Sequence, residues 1–510
     1  MRRLSPALAR AMSMRRRMDP MTILFGPWAP DLPPLANPGL TLAQNVIPAS
    51  ASYRPLPGLS VQSNALDARC RGAAAARDTT GNVYFYAGDA AKLYEIRNQT
   101  VTDKSKSGGY TTSGDNNWIF RQFGQTIIGT NYDDPVQSIA VGSGSAFADH
   151  FTSTNKPKAR CMGVIRNFLM LGDTNDTSDG IKPQRVWWSA IGDSTDMDPD
   201  AATQSDYTDL DDGGRVQHIL DGVEFGLIFQ QRRIVRASYI GPKVIFDLYP
   251  IDRQRGTPVP GSVIGWGRLA AFWSEEGVFL NDGSQSYPIG HDQVDRWIWD
   301  QFDPLNAPRV SAAIDPINKV FAWAFPGTGN TAGAPNRLVF YNWRDKKWGY
   351  GVVDTEIVVS AETQAYTLEQ LDSVSSDLET LTPTLDSPVW QGGRLRFGAF
   401  DTAHKLNYFL GDNLAAVLET GDRQMFKGRR GTVRKARPLV EGAAATCAVA
   451  GRDDLSASQT FGSDTAEDTF GTAALRKRAR YHRFRTSVAA AADWDHAIGV
   501  EVEAYPGGYR

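Results

Sequence analysis

A short apolar and aromatic strand, a turn holding Gly, Asn or Asp, and a second apolar strand recur through the middle of the chain. This cadence points to a large all-β scaffold built by repetition. Val83 to Tyr86, a turn at Gly88-Asp89 and Lys92 to Ile96 make one unit; Trp118 to Phe123, Gly124 and Thr126 to Thr130 make the next. Further units run Cys161 to Leu171 with Arg185 to Ala190, and Val223 to Phe229 with Arg232 to Tyr239. The series continues with Val263 to Trp273 and Gly277 to Leu280, Val320 to Phe325 and Leu338 to Trp343, and Arg396 to Leu410 and Ala415 to Leu418. The spacing varies over roughly 35 to 50 residues, as in propeller blades with unequal loops rather than a solenoid of fixed period. The expected fold is therefore an all-β propeller of six or seven blades. Two or three unrelated β-sandwiches are the alternative.

With 510 residues the chain exceeds one compact core, so a large β domain with attachments is expected. A formal net charge of -3 argues against a protein whose whole surface grips nucleic acid. No apolar run approaches about 18 residues, so no stable membrane insertion is expected. Cys70, Cys161 and Cys447 are far apart and lack CxxC spacing, as expected of small buried residues in a reducing cytosol. The six histidines form no cluster, so no metal and no cofactor is expected.

Residues 1–20 carry Arg2, Arg3, Arg10, Arg15, Arg16 and Arg17 without an apolar stretch behind them, the composition of a basic, disordered terminus. Residues 21–60 form a Pro-rich arm. Eight prolines between Pro27 and Pro57 force extended backbone, yet Trp28, Leu32, Leu35, Leu40, Val46, Ile47, Tyr53 and Leu59 need a surface to lie on. That surface is either the chain's own propeller or a neighbouring subunit. The propeller is expected over 61–425, interrupted at 361–390. There Leu368, Leu371, Val374, Leu378 and Leu381 fall at helical steps and would pack on their own domain or on another subunit.

A small C-terminal β-domain is expected over 426–510. It holds two basic clusters, one containing Arg429, Arg430 and Arg434 and one containing Arg478, Arg480 and Arg483, with Tyr481 and Phe484 interleaved. Basic residues beside aromatics can serve nucleic acid. Strand-like alternation makes docking to another subunit or to an adaptor the preferred role for these arginines. The segment Asp173 to Asp212 holds eleven aspartates against Lys182 and Arg185. Its match to a calcium loop is poor, because no glutamate ends the loop, and solvated loops are expected.

Catalytic signatures are missing. GxSxG, GxxxxGK[ST], HExxH and helix-opening GxGxxG are all absent, so no catalytic residues are expected. Glu275 and Glu276 are adjacent and make a poor acid and base couple. The pairs Trp343 with Trp348, Trp187 with Trp188 and Trp297 with Trp299 are expected to pin turns rather than to form a sugar platform.

Three runs carry a family resemblance: PDLPPLANPGLTLAQNVIPASASYRPLPGL from Pro30 to Leu59, FGLIFQQRRIVRASYIG from Phe225 to Gly241, and AAFWSEEGVFLNDGSQSYPIG from Ala270 to Gly290. From about Gly26 onward the chain resembles the tail nozzle or hub proteins of short-tailed bacteriophages, also called packaged-DNA stabilisation proteins. The resemblance implies a ring-forming, non-enzymatic virion subunit, six copies of which continue the channel below the portal-adaptor ring. It also implies that genomic double-stranded DNA passes through the lumen without sequence recognition. The expected location is the virion tail, after assembly in the host bacterial cytoplasm. The alternative is a propeller-type glycan-binding or glycan-hydrolysing virion protein.

Overall fold

The computed structural model describes residues 20–97, 99–114, 116–362 and 395–507. The basic terminus and the expected helix bearing Leu368, Leu371, Val374 and Leu378 lie outside the described residues. The chain is an all-β propeller protein, and seven blades are present among the described residues. Blades one to five span residues 72–103, 119–149, 158–209, 216–252 and 264–288, each a four-stranded antiparallel meander. Blade six spans 311–351. Blade seven takes three strands from 357–413 and its outermost strand, Pro57–Ala65, from near the start of the chain.

Each blade's first strand is innermost, and these strands surround the axis. Crowding there selects small residues: the innermost strand of blade one reads Gly72-Ala73-Ala74-Ala75-Ala76-Arg77, and a Cβ at Gly72 would lie 2.0 Å from the Trp118 carbonyl oxygen. The second strands are buried on both faces and so read as continuous apolar runs, as in Val320–Phe325, whose six residues are all buried. Hairpin turns are closed by aspartates. Asp78 Oδ1 accepts the Thr80 and Asn82 backbone N–H groups at 2.9 Å, and Asp282 and Asp315 cap their turns in the same manner.

The ring closes where Pro57–Ala65 pairs with Lys405–Asn413, setting Leu59 opposite Phe409. Beside this seam the buried carboxylate of Glu356 accepts the Cys70 N–H at 2.7 Å and meets His404 Nδ1 at 2.5 Å, tying blade seven to the entry of blade one.

The expected boundaries at 60/61 and 425/426 are corrected by the pairing. The propeller strands run from Pro57 to Asn413, and the two flanking segments form one β-sandwich together. One of its sheets joins Met21–Leu24, Val46–Pro48 and Tyr53–Pro55 from the arm to Gly431–Glu441, Ala473–Ala479 and His496–Pro506. The other joins Leu40–Gln44 to Ala416–Thr420, Tyr481–Val488, Thr446–Arg452 and Thr465–Ala466. Through Gln44 beside Tyr350 this second sheet continues into blade six, making one nine-stranded sheet. The unit expected to pair Arg396–Leu410 with Ala415–Leu418 is therefore split between the propeller and the sandwich.

The arm is held by specific contacts. Trp28, fully buried, stacks on Tyr350 at 5.0 Å and meets Trp297 edge-on at 4.9 Å. Asp31 accepts the backbone N–H groups of Arg296 and Trp297 at 2.8 and 2.9 Å, capping the short helix Asp295–Gln301, whose own N-cap Val294 supplies no side-chain bond. Arg423 donates to the carbonyls of Asn37 and Gly39 from the C-terminal half. Prolines keep the arm extended, and these partners fix where it runs.

Trp28→Ala should cost about 3–5 kcal/mol in urea unfolding and Asp31→Ala about 1 kcal/mol; equal midpoints for both variants and the parent would mean that the arm contributes nothing. Asp295 gives a pH signature, because burial drives its carboxyl from 3.8 up to about 6. Between those values the folded chain keeps a proton that the unfolded chain releases, so this group's contribution falls as pH rises through the window. Asp295→Asn should remove that slope, read as the difference between the two proteins' pH–stability curves.

Candidate functional site

Two regions gather polar chemistry, the propeller axis and the outer face of the sandwich. The axial region holds two adjoining cavities of about 410 Å³ each, which share Asn117, Ile119, His218, Gly261 and Pro308 in their walls. Arg69, Arg71, Arg121 and Arg309 line one, and Arg160 and Arg215 line the other. Most stand just before or at the start of an innermost strand: Arg69 and Arg71 in blade one, Arg215 in blade four, Arg309 in blade six, with Arg160 at the third position of the innermost strand of blade three. Sequence reasoning missed them, and arginine recurring near the start of the first strand in several repeats is the signal that could have found them.

Three of the axial arginines, Arg71, Arg160 and Arg215, form a connected network. Arg71 donates to the carbonyls of Gly114 and Asn116 at 2.6 and 3.2 Å, and Arg160 donates to the Asn116 side-chain oxygen. Arg160 and Arg215 both reach Asp173 Oδ2, at 3.0 and 3.2 Å. Asp173 is fully buried, and burial raises its carboxyl pKa although both guanidiniums pull it down. Arg121 pairs with Asp221 at 3.0 Å and approaches His218 Nε2 at 3.5 Å. Burial first, then Arg121, push the His218 imidazole down to about 3, so this ring is neutral.

The C-terminal arginines divide by strand alternation. On Ala473–Ala479, Ala473, Leu475 and Ala479 point inward while Arg476 and Arg478 are exposed. With Lys427, Arg429, Arg434, Lys435 and Arg437 they make a basic outer face, along which Arg434 lies over the Tyr505 ring at 5.0 Å. Arg430 instead pairs with Asp453 at 2.5 Å, and the Arg480 backbone N–H donates to the same carboxylate at 3.0 Å. Arg483 belongs to the other sheet, where Asp422 holds it at 3.2 Å together with Arg452. The six arginines singled out in the sequence are thus not one site. Arg429, Arg434 and Arg478 face outward, Arg430 and Arg483 serve internal ion pairs, and Arg480 contributes its backbone N–H.

The acidic segment is also divided. Asp193 and Asp200 close turns in exposed loops, and Asp198 accepts the backbone N–H groups of Thr154 and Asn155 from a separate loop. Asp176, Asp179 and Asp209 converge on Arg185 at 3.2, 2.6 and 2.7 Å, and the guanidinium lies 4.1 Å from the Tyr207 ring centroid. Solvated loops therefore describe only part of the segment. Among the described residues no group of three or more His, Cys, Asp or Glu is arranged to hold a metal ion.

Glu275 and Glu276 form the exposed two-residue turn of blade five, and Glu276 pairs with Arg255 at 2.9 Å. Trp187, Trp188 and Trp348 are buried, with their indole N–H groups bonded to the carbonyls of Met197, Gln204 and Ile289. All three cysteines are buried and free, and burial pushes their thiols up. No helix among the described residues is long and apolar enough to cross a membrane.

No family model and no curated protein matches the chain. Among solved structures it is similar to the Pan2 WD40 domain of Neurospora crassa, at 8% identity and a TM-score of 0.37, over 71% of this chain and 96% of that one.

The Arg185 network gives a stability test. Arg185→Leu leaves three carboxylates facing one another and should cost about 3–5 kcal/mol, whereas Lys182→Leu should stay within about 0.5 kcal/mol. An Arg185→Leu protein with the parent's urea midpoint would mean that these aspartates are solvated.

Proposed function

We propose that this chain is a structural subunit of a short phage tail, a non-enzymatic nozzle or hub component that forms a ring with copies of itself. By family resemblance the ring has six copies, meets the portal-adaptor ring and other tail proteins, retains the packaged genome and forms part of its exit channel. The observation that carries this reading is the nine-stranded sheet that welds blade six to a sandwich made from both ends of the chain. A subunit that transmits load without yielding needs such continuity, because a flexible linker between the two parts would let them move independently.

Surface chemistry adds support. The outer hairpin of blade four exposes Ile240, Val244 and Tyr249 at 58–62%, apolar area suited to a neighbouring copy. A channel lined by the basic outer face would hold DNA, since each neutralised phosphate adds to salt-dependent affinity. The reading therefore turns Arg434 and Arg478 toward an acidic protein partner. Burial of Trp187, Trp188 and Trp348 takes those three indoles away from the glycan-binding alternative, which is left with Trp266, 41% exposed, beside Trp343.

The test is the mass of the purified chain alone and with its adaptor. A ring is expected in at least one case. Arg434→Glu combined with Arg478→Glu should abolish joining to the ring or adaptor while leaving the melting temperature unchanged. A stable monomer under all conditions that binds or cleaves polysaccharide would overturn the proposal.

A further inference from the structure

We infer that the axial cavity of the propeller binds a compact phosphoanion of the pyrophosphate class, a site that the ring-subunit reading neither assigns nor requires. Six arginines stand in the walls of the two adjoining hollows, and among the described residues that line them the only carboxylate is Asp221. Asp173 adds one further negative charge behind the wall, shared between Arg160 and Arg215. The lining is therefore strongly cationic inside a narrow, partly desolvated space.

Like charges so arranged repel, and a cleft walled by protein focuses their field rather than letting water disperse it. An anion in the cavity removes that penalty. All six guanidiniums are half-buried, and the shared contacts at Asn116 and Asp173 keep Arg71, Arg160 and Arg215 within one network. Planar forks held in position from several sides suit an anion with many oxygens, because each fork can take two. Neutral groups complete the lining: His218, held uncharged, and the side chains of Asn117 and Gln217.

Size limits the occupant. Each hollow of about 410 Å³ falls within the roughly 300–1,000 Å³ of small-molecule sites. Duplex DNA does not enter a space of that kind, so the site is distinct from any path for the genome.

The test is calorimetric titration of the full-length chain with sodium pyrophosphate, and with ATP as a second arm. Saturable binding of pyrophosphate is expected, weakened at least about tenfold in Arg71→Gln and in Arg215→Gln, with both variants melting as the parent does. Competition by ATP would extend the ligand class to nucleotides, and its failure beside pyrophosphate binding would confine the class to small phosphates. Should Arg215→Gln melt early, Arg71→Gln decides, because its hydrogen bonds to Gly114 and Asn116 go to loop carbonyls. Absence of saturable binding at millimolar pyrophosphate, or equal binding by the parent and a normally melting Arg71→Gln protein, overturns the inference.

Discussion

The outer edge of blade six is the constraint on which the rest of the molecule turns. A strand with one free edge offers unpaired N–H and C=O groups to any passing chain, and proteins cover such edges or blunt them. Here the N-terminal arm covers it. Asn45, in the left-handed region at φ 56°, donates its backbone N–H to the Tyr350 carbonyl at 2.7 Å and accepts the Val352 N–H on its side chain at 2.9 Å. Its side-chain amide reaches the Ala415 carbonyl at 2.8 Å, so one residue joins the propeller, the arm and the C-terminal segment. Asparagine tolerates that backbone better than most side chains, and it carries both a donor and an acceptor.

Because the arm is committed to that edge, the chain must pass from Asn45 through Tyr53–Pro55 into Pro57–Ala65, the strand that closes the ring at blade seven. Ring closure and sandwich formation are therefore consecutive uses of one segment. The sandwich depends on both ends in turn: Leu40–Gln44 pairs with Ala416–Thr420, and Met21–Leu24 with His496–Pro506. The apolar cluster that unites them includes Trp28 from the arm, Trp273 and Trp323 from blades five and six, and Trp494 from the C-terminal segment. Neither flank buries its apolar residues by itself.

What the sequence discloses follows from the range of the interaction. Hairpins are local, and period-two or continuous apolar strands separated by turn residues were legible in the first six blades and in part of the seventh. The last hairpin misled because Ala416–Thr420 reads like a neighbour of the strand before it, while its partner Leu40–Gln44 lies at the other end of the chain. Prolines marked the arm as extended, but alternation says nothing about which edge an extended segment will meet. The same limit applied to charge. Asp173 reads as one of eleven aspartates in a polar stretch, and only the folded ring brings Arg160 and Arg215 to it.

Alternation also explains why the basic clusters have two fates. Along Tyr481–Val488, Phe484, Thr486 and Val488 are buried and Arg483 and Arg485 point out, where Asp422 and Glu419 meet them. Along Ala473–Ala479 the outward positions hold Arg476 and Arg478, and the facing strand His496–Pro506 offers Glu501 and Glu503 to Arg437, Lys435 and their neighbours without equalling their number. One sheet thus neutralises its outward arginines with its own chain, and the other leaves an excess. Exposed ion pairs contribute little to folding, about 0–1 kcal/mol each, so this excess costs the fold little to retain. On the ring-subunit reading proposed above, this excess of positive charge is what an acidic partner would meet first.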